Sequence, residues 1–105
     1  MIFIYTTYPD LSSAKKTIQS LLDRRLIACA NIIPGMTSIY RWQDKVEESN
    51  ELVVIFKTRS NLFEACKVEI QNEHPYQVPC ILQIDIPQGE SKYLDWLRKE
   101  TEAID

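Results

Sequence analysis

The chain has 105 residues, a formal net charge of −3, 45% hydrophobic residues and 26% charged residues. A chain of this length is expected to form one domain, residues 1–105, and to bury roughly 60–70% of the surface that its unfolded form exposes. Its scattered lysines and arginines argue against nucleic-acid binding, its two glycines argue against a phosphate-binding glycine loop, and no segment approaches the roughly 20 apolar residues of a membrane span.

Three cysteines, Cys29, Cys66 and Cys80, occur without a CxxC pair. An odd number of thiols without a pattern is more typical of reduced cysteines than of a disulfide framework. The start of the chain carries no basic stretch before its short apolar run, so no signal peptide is expected. The sequence therefore predicts a soluble, cytoplasmic protein.

The first half of the chain reads as strand, helix and long strand. Alternation predicts a strand over 2–8, and apolar residues at helical spacing predict a helix over 11–25, capped by Asp10 or Ser12. Extended character then runs over 27–43, where Pro34-Gly35 indicates a kink or bulge.

The long strand is predicted to enter a hairpin that spans roughly 28–59, with Asp44-Lys45 as its turn. Ser60 is expected to cap a second helix over 61–73, with Cys66 in its apolar stripe. Two prolines make 74–79 a connector.

A last strand is predicted from Cys80 to Pro87, with Leu82, Ile84 and Ile86 facing inward. A final helix opens at Ser91.

This order, βαββαβ plus a C-terminal helix, predicts an α+β fold of the ferredoxin-like split βαβ type. Right-handed crossovers place both main helices on one face of a four-stranded antiparallel sheet, with the first and third strands central. Those two strands are apolar on both faces, and the hairpin is too long for one small domain to support. We therefore expect an oligomer in which neighbouring subunits cover the second face.

His74 and Cys80 are the most plausible metal ligands, because imidazole and thiolate suit soft ions such as copper(I). One histidine cannot build a typical zinc site within a chain, although it can contribute to a site shared between subunits. The alternative is a loop histidine that stacks on Tyr76 or bonds to the backbone. Cys66 is expected in the core, and Cys29 is also expected to be buried.

Tyr40 and Trp42 share one strand face, an arrangement suited to a subunit interface or, alternatively, to ligand stacking. The charged residues of the hairpin are interpreted as its solvated flank; they are Glu47, Glu48 and Glu51 with Lys45 and Lys57. Lys57-Thr58 can bind an anion, or Lys57 can form a salt bridge at the protein surface. The sequence pattern indicates no activated nucleophile and no acid/base pair, so the chain is not expected to be an enzyme.

Taken together, Ala28 to Trp42 (ACANIIPGMTSIYRW), Lys45-Val46-Glu47, Lys57-Thr58, His74-Pro-Tyr76 and Tyr93-Leu-Asp-Trp96 resemble the CutA family of divalent-cation tolerance proteins. The resemblance runs nearly end to end. It implies a homotrimer, tolerance to copper and other divalent metals with no obligate cofactor, and an assembly similar to that of the PII-type signalling proteins.

Carried over residue by residue, the resemblance places a set of side chains near the clefts between subunits. They are Asn31, Ser38, Tyr40, Trp42, Glu47, Lys57, Thr58, His74 and Tyr76.

The chain departs from the family pattern at three positions. Asp44 replaces a glycine at the hairpin turn, while Gln77 and Cys80 replace glutamates. Loss of those carboxylates weakens a hard-metal site, and Cys80 favours soft ions. Two functions remain open: a non-enzymatic, metal-responsive homotrimer, or a PII-like module that binds a small anion or a partner protein in the clefts.

Overall fold

The computed structural model describes residues 1–102. Its elements are β1 (Ile2–Tyr8), α1 (Leu11–Asp23), β2 (Cys29–Trp42), β3 (Lys45–Thr58), a 3₁₀ turn (Ser60–Leu62), α2 (Phe63–Glu73), β4 (Leu82–Asp85) and α3 (Ser91–Glu100). All strand pairs are antiparallel, in the order β2-β3-β1-β4. This confirms the ferredoxin-like prediction, including the central β1 and β3.

The core lies between one face of the sheet and the two main helices. On β1, Ile2 and Ile4 are buried while Phe3 between them is half-buried, and Phe56 of β3 faces the same side as the two isoleucines. Leu21 of α1 and Ile70 of α2 join this cluster. Cys66 is also inside it, as predicted, so both helices cover the same face.

Helix α1 begins at a side-chain cap. Asp10 Oδ1 accepts a 2.8 Å hydrogen bond from the backbone N–H of Ser13, as the sequence predicts. The helix ends at Asp23 rather than at residue 25, because Arg25 adopts a left-handed conformation with φ 55°.

The hairpin contains the predicted bulge. Its register runs from Ile33 opposite Val53 to Met36 opposite Glu51, so two residues of β2 face one of β3. Gly35 supplies the positive φ of 77° that this geometry needs. The turn, however, is Gln43-Asp44, one residue before the predicted position. Both residues have positive φ, as a two-residue turn matched to strand twist requires.

Three further expectations are wrong in detail. Ser60 does not cap α2, since residues 60–62 form a 3₁₀ turn and α2 begins at Phe63 without a side-chain cap. Strand β4 is shorter than 80–87. Leu82 and Ile84 pair with Tyr5 and Phe3, which turn away from the helices, so both are exposed.

No helix within residues 1–102 is both long enough and apolar enough to cross a bilayer.

Candidate functional site on the open face

We call the side of the sheet opposite α1 and α2 the open face. Because paired residues of antiparallel strands point the same way, the register assigns its members. They are Phe3, Tyr5, Thr7, Cys29, Asn31, Ile33, Met36, Ser38, Tyr40, Trp42, Lys45, Glu47, Ser49, Glu51, Val53, Ile55, Lys57, Leu82 and Ile84. Its centre is apolar, and α3 reaches it at one end through Tyr93.

The hairpin tip carries aromatic side chains that remain exposed in the described part of the chain, residues 1–102. Tyr40 is 44% exposed and Trp42 is 59% exposed. They share the open face, as predicted from alternation, with Glu47 directly across from Tyr40. Aromatic side chains exposed to this extent are typical of surfaces that pack against a partner.

His74 lies buried at the base of the 74–79 connector. Its Nε2 is 2.7 Å from the carbonyl oxygen of Thr7, and its Nδ1 accepts a 3.0 Å hydrogen bond from the backbone N–H of Tyr76. The ring also contacts Tyr8 and Tyr76, with centroids 4.2 Å and 4.8 Å away. These contacts match the alternative reading, in which the loop histidine stacks on tyrosine and bonds to the backbone.

The same contacts define the protonation state of His74. With Nε2 facing a carbonyl and Nδ1 accepting from an N–H, the ring is a neutral Nε2–H tautomer. Burial lowers the pKa of His74 below its usual value, although the Thr7 carbonyl and the Glu51 carboxylate oppose this. In this arrangement the ring has no free nitrogen for a metal.

Cys80, the other predicted metal ligand, is a half-buried free thiol. Burial, together with the negative charge of Glu51, raises the pKa of Cys80. Within residues 1–102, no three histidine, cysteine, aspartate or glutamate side chains converge closely enough to hold a metal ion.

Glu51 is the residue that sequence reasoning misplaced. The prediction of a solvated flank is wrong for Glu51, because this residue is half-buried on the open face and its Oε2 accepts a 2.7 Å hydrogen bond from the hydroxyl of Tyr76. Burial tends to raise the pKa of Glu51, but the hydroxyls of Ser38, Tyr76 and Thr7 outweigh it and lower the pKa. We call these four residues the Glu51 cluster.

Lys57 occupies the other end of the open face. Its ammonium lies 5.5 Å from the centre of the Phe3 ring and 5.7 Å from that of Tyr93, whose hydroxyl is 3.5 Å away. The sequence predicts a buried Cys29, but this residue is only half-buried. Its Sγ lies 3.6 Å from the hydroxyl of Tyr93. Among residues 1–102, no carboxylate lies within salt-bridge distance of Lys57.

The remaining predicted cleft residues divide between the two faces of the sheet. Asn31 and Ser38 lie on the open face. Thr58 does not, because it is fully buried on the helix face and donates a 2.6 Å hydrogen bond to the carbonyl of Leu26. Thr58 is therefore a core residue of this chain, and its side chain faces the helices rather than the open face.

The sequence matches the family profile described as "CutA1 divalent ion tolerance protein" over residues 2–100. The chain is a member of the CutA family. It is 46% identical over 101 residues to the divalent-cation tolerance protein CutA of Pyrococcus horikoshii, covering 96% of this chain and 98% of the relative. The Thermus thermophilus protein of the same name is 43% identical, covering 93% and 95%.

Crystal structures of CutA proteins also have this fold. A Pyrococcus horikoshii CutA1 variant structure matches with a TM-score of 0.93 at 46% identity, covering 97% of this chain and 99% of that one. A CutA from Archaeoglobus fulgidus, described as periplasmic, matches with a TM-score of 0.94 at 39% identity, covering 97% and 100%. A relative from Arabidopsis thaliana is described as chloroplastic, so CutA proteins occupy more than one compartment.

Proposed function

We propose that this CutA chain acts in divalent-cation tolerance as a non-enzymatic homotrimer that binds or responds to metal ions such as copper. The open face carries the proposal. Exposed apolar area costs about 25 cal/mol per Å², so leaving the centre of this sheet in water costs several kcal/mol. Further copies of the chain that cover the open face remove this cost, and the family resemblance suggests that three copies assemble.

The polar groups support a role without catalysis. His74 is the chain's only histidine and is bonded on both nitrogens, which leaves no general base of the usual kind. Burial raises the pKa of the Cys66 thiol to about 12, which makes it an unsuitable nucleophile. All three cysteines are free, consistent with the reducing cytoplasm as the compartment.

The assembly is tested by light scattering coupled to size exclusion. We expect a mass three times that of the 12.3 kDa chain, stable on dilution to micromolar concentration. A monomer under these conditions contradicts the assembly and, with it, the inter-subunit metal site.

Metal binding is proposed at Cys80 with ligands from a neighbouring subunit. The thiol is accessible and soft, and a bound cation would offset the effect of Glu51 on its pKa. Copper(I) titration in competition with a chromophoric chelator should show weaker binding for Cys80→Ser.

Two variants accompany this titration. Cys29→Ser is the matched control, because it removes a similarly half-buried thiol at a different position, on the open face. His74→Asn tests the other predicted ligand, and we expect little change because both ring nitrogens are already bonded. Equal affinity of wild type and Cys80→Ser would contradict the role of Cys80.

The second candidate is a PII-like module that binds a small anion or a partner protein in the inter-subunit clefts. Lys57 favours it, since its ammonium has no carboxylate partner within residues 1–102. Fluorescence of Trp42 and Trp96 against a nucleotide and metabolite panel tests this function. A response that Lys57→Met abolishes supports it, and a flat response throughout contradicts it.

A further inference from the structure

Lys57 and Glu51 present opposite charges on the same strand and the same face. Both lie on the open face of β3, six residues apart. At about 3.3 Å per residue, their Cα atoms are separated by about 20 Å, so the two side chains cannot meet within one chain.

Burial of the open face changes the surroundings of both groups. Lys57 sits against Phe3 and Tyr93, and the donors around Glu51 are the uncharged hydroxyls of its cluster. In a single chain, water still solvates both half-buried groups. Once another copy covers the face, each group loses this water, and a buried charge without a partner is strongly unfavourable.

We infer that the ammonium of Lys57 in one protomer forms an ion pair with the carboxylate of Glu51 in the next protomer. This inference rests on the proposed assembly and adds the contact that orients it. Because each protomer offers the cation at one end of the face and the anion further along it, the pairing repeats around a closed ring. It also gives the interface specificity that apolar packing alone lacks.

A zero-length carbodiimide cross-link tests the inference on the wild-type protein. Carbodiimide joins a lysine amine to a carboxylate only when the two are in contact. We mix ¹⁴N- and ¹⁵N-labelled protein, allow exchange, cross-link and identify peptides by mass spectrometry. The expected product is a mixed-isotope peptide pair that joins Lys57 to Glu51. Lys57 joined instead to Glu47 overturns the assignment, as does the absence of any cross-link from Lys57 in a stable trimer.

A double-mutant cycle gives an independent measurement. Glu51→Gln keeps an oxygen that accepts from the Tyr76 hydroxyl, and Lys57→Met keeps much of the side-chain length. Each single variant should weaken association at least tenfold, and the double variant should weaken it by much less than the product of the two. Lys16→Met, on the exposed surface of α1, is the matched control.

The outcomes separate this pairing from the assembly on which it rests. Additive effects, or wild-type association in both single variants, contradict the pairing while leaving the trimer intact. A wild-type protein that remains monomeric contradicts both. Circular dichroism of each variant checks that the chain still folds.

Discussion

The hydroxyl of Tyr76 donates a 2.7 Å hydrogen bond to Oε2 of Glu51, joining the connector after α2 to the middle of β3. This contact holds the connector against the hairpin just where the hairpin leaves the helix-backed part of the sheet.

Tyr76→Phe removes this hydrogen bond without changing the shape of the side chain. Hydrogen bonds to charged groups contribute about 1.5–3 kcal/mol, and partial exposure places this one near the lower end, so we expect a loss of about 1.5 kcal/mol. Urea denaturation should show a lower midpoint with an unchanged slope. Tyr40→Phe is the control, because that exposed hydroxyl is not part of the Glu51 cluster. Equal losses for the two variants would contradict a specific role for the Tyr76–Glu51 bond.

His74 makes stability depend on pH. Because burial lowers its pKa in the folded state, the unfolded chain binds the proton more readily. Neutral His74 contributes fully to the free energy of unfolding above about pH 6.5, which is its pKa in the unfolded chain. This contribution falls as the pH drops toward the lower pKa of His74 in the folded chain. The free energy of unfolding should therefore begin to decline just below about pH 6.5 in the wild type, and this first decline should be absent in His74→Gln. A decline of equal slope in the variant would assign the effect to other groups.

The hairpin turn contains two non-glycine residues in the left-handed region. Asp44 has φ 64°, so Asp44→Gly should stabilise the chain by up to about 1 kcal/mol. Lys45→Gly, one residue later and inside β3, should instead cost about 0.5–1 kcal/mol. The reversed order of melting temperatures would indicate that the turn lies at Asp44-Lys45.

Gly35 adopts φ 77°, and a Cβ added there would meet no atom of residues 1–102 within 4 Å. Gly35→Ala therefore isolates backbone strain, with an expected loss of about 1–2 kcal/mol. Gly35→Asn should lose less, because asparagine tolerates this conformation. Equal stability of all three proteins in thermal unfolding would contradict the strain.

Ile84 on the open face and Val68 on the outer side of α2 are similarly exposed in the single chain, at 46% and 52%. Ile84→Ser should raise the dissociation constant of the oligomer about tenfold or more, since a buried aliphatic side chain contributes about 1.5–3 kcal/mol. Val68→Ser should leave it unchanged. Light scattering across a dilution series measures both, and equal dissociation constants would show that the open face is not the interface.

Local patterns were sufficient to predict most of the fold. Alternation in 2–8 and 52–56 predicted two-faced strands, and those strands are central. Pro34-Gly35 predicted the bulge. The turn was displaced by one residue because Asp44 is an ordinary turn residue, whereas a positive φ at Gln43 has no sequence signal.

The candidate site was predictable only in part. Tyr40 and Trp42 follow from strand alternation, but Glu51 gains its role only when Tyr76 folds back onto it, a contact between residues 25 apart in sequence. Thr58 follows Lys57 in a recognisable pair, yet strand alternation sends it to the opposite face, into a hydrogen bond with Leu26. Motif membership therefore did not predict which residues share a surface.

The bulge at Pro34-Gly35 also limits how the hairpin can change in length. Beyond it, Tyr40 and Trp42 keep their direction only while each strand gains or loses residues in pairs, since a single insertion turns every later side chain to the other face. Viable length variants of this hairpin should therefore differ by even numbers of residues per strand. An insertion of an odd number of residues is tolerated only where it forms a second bulge. The lengths of viable hairpin variants therefore indicate which face of the hairpin must stay apolar.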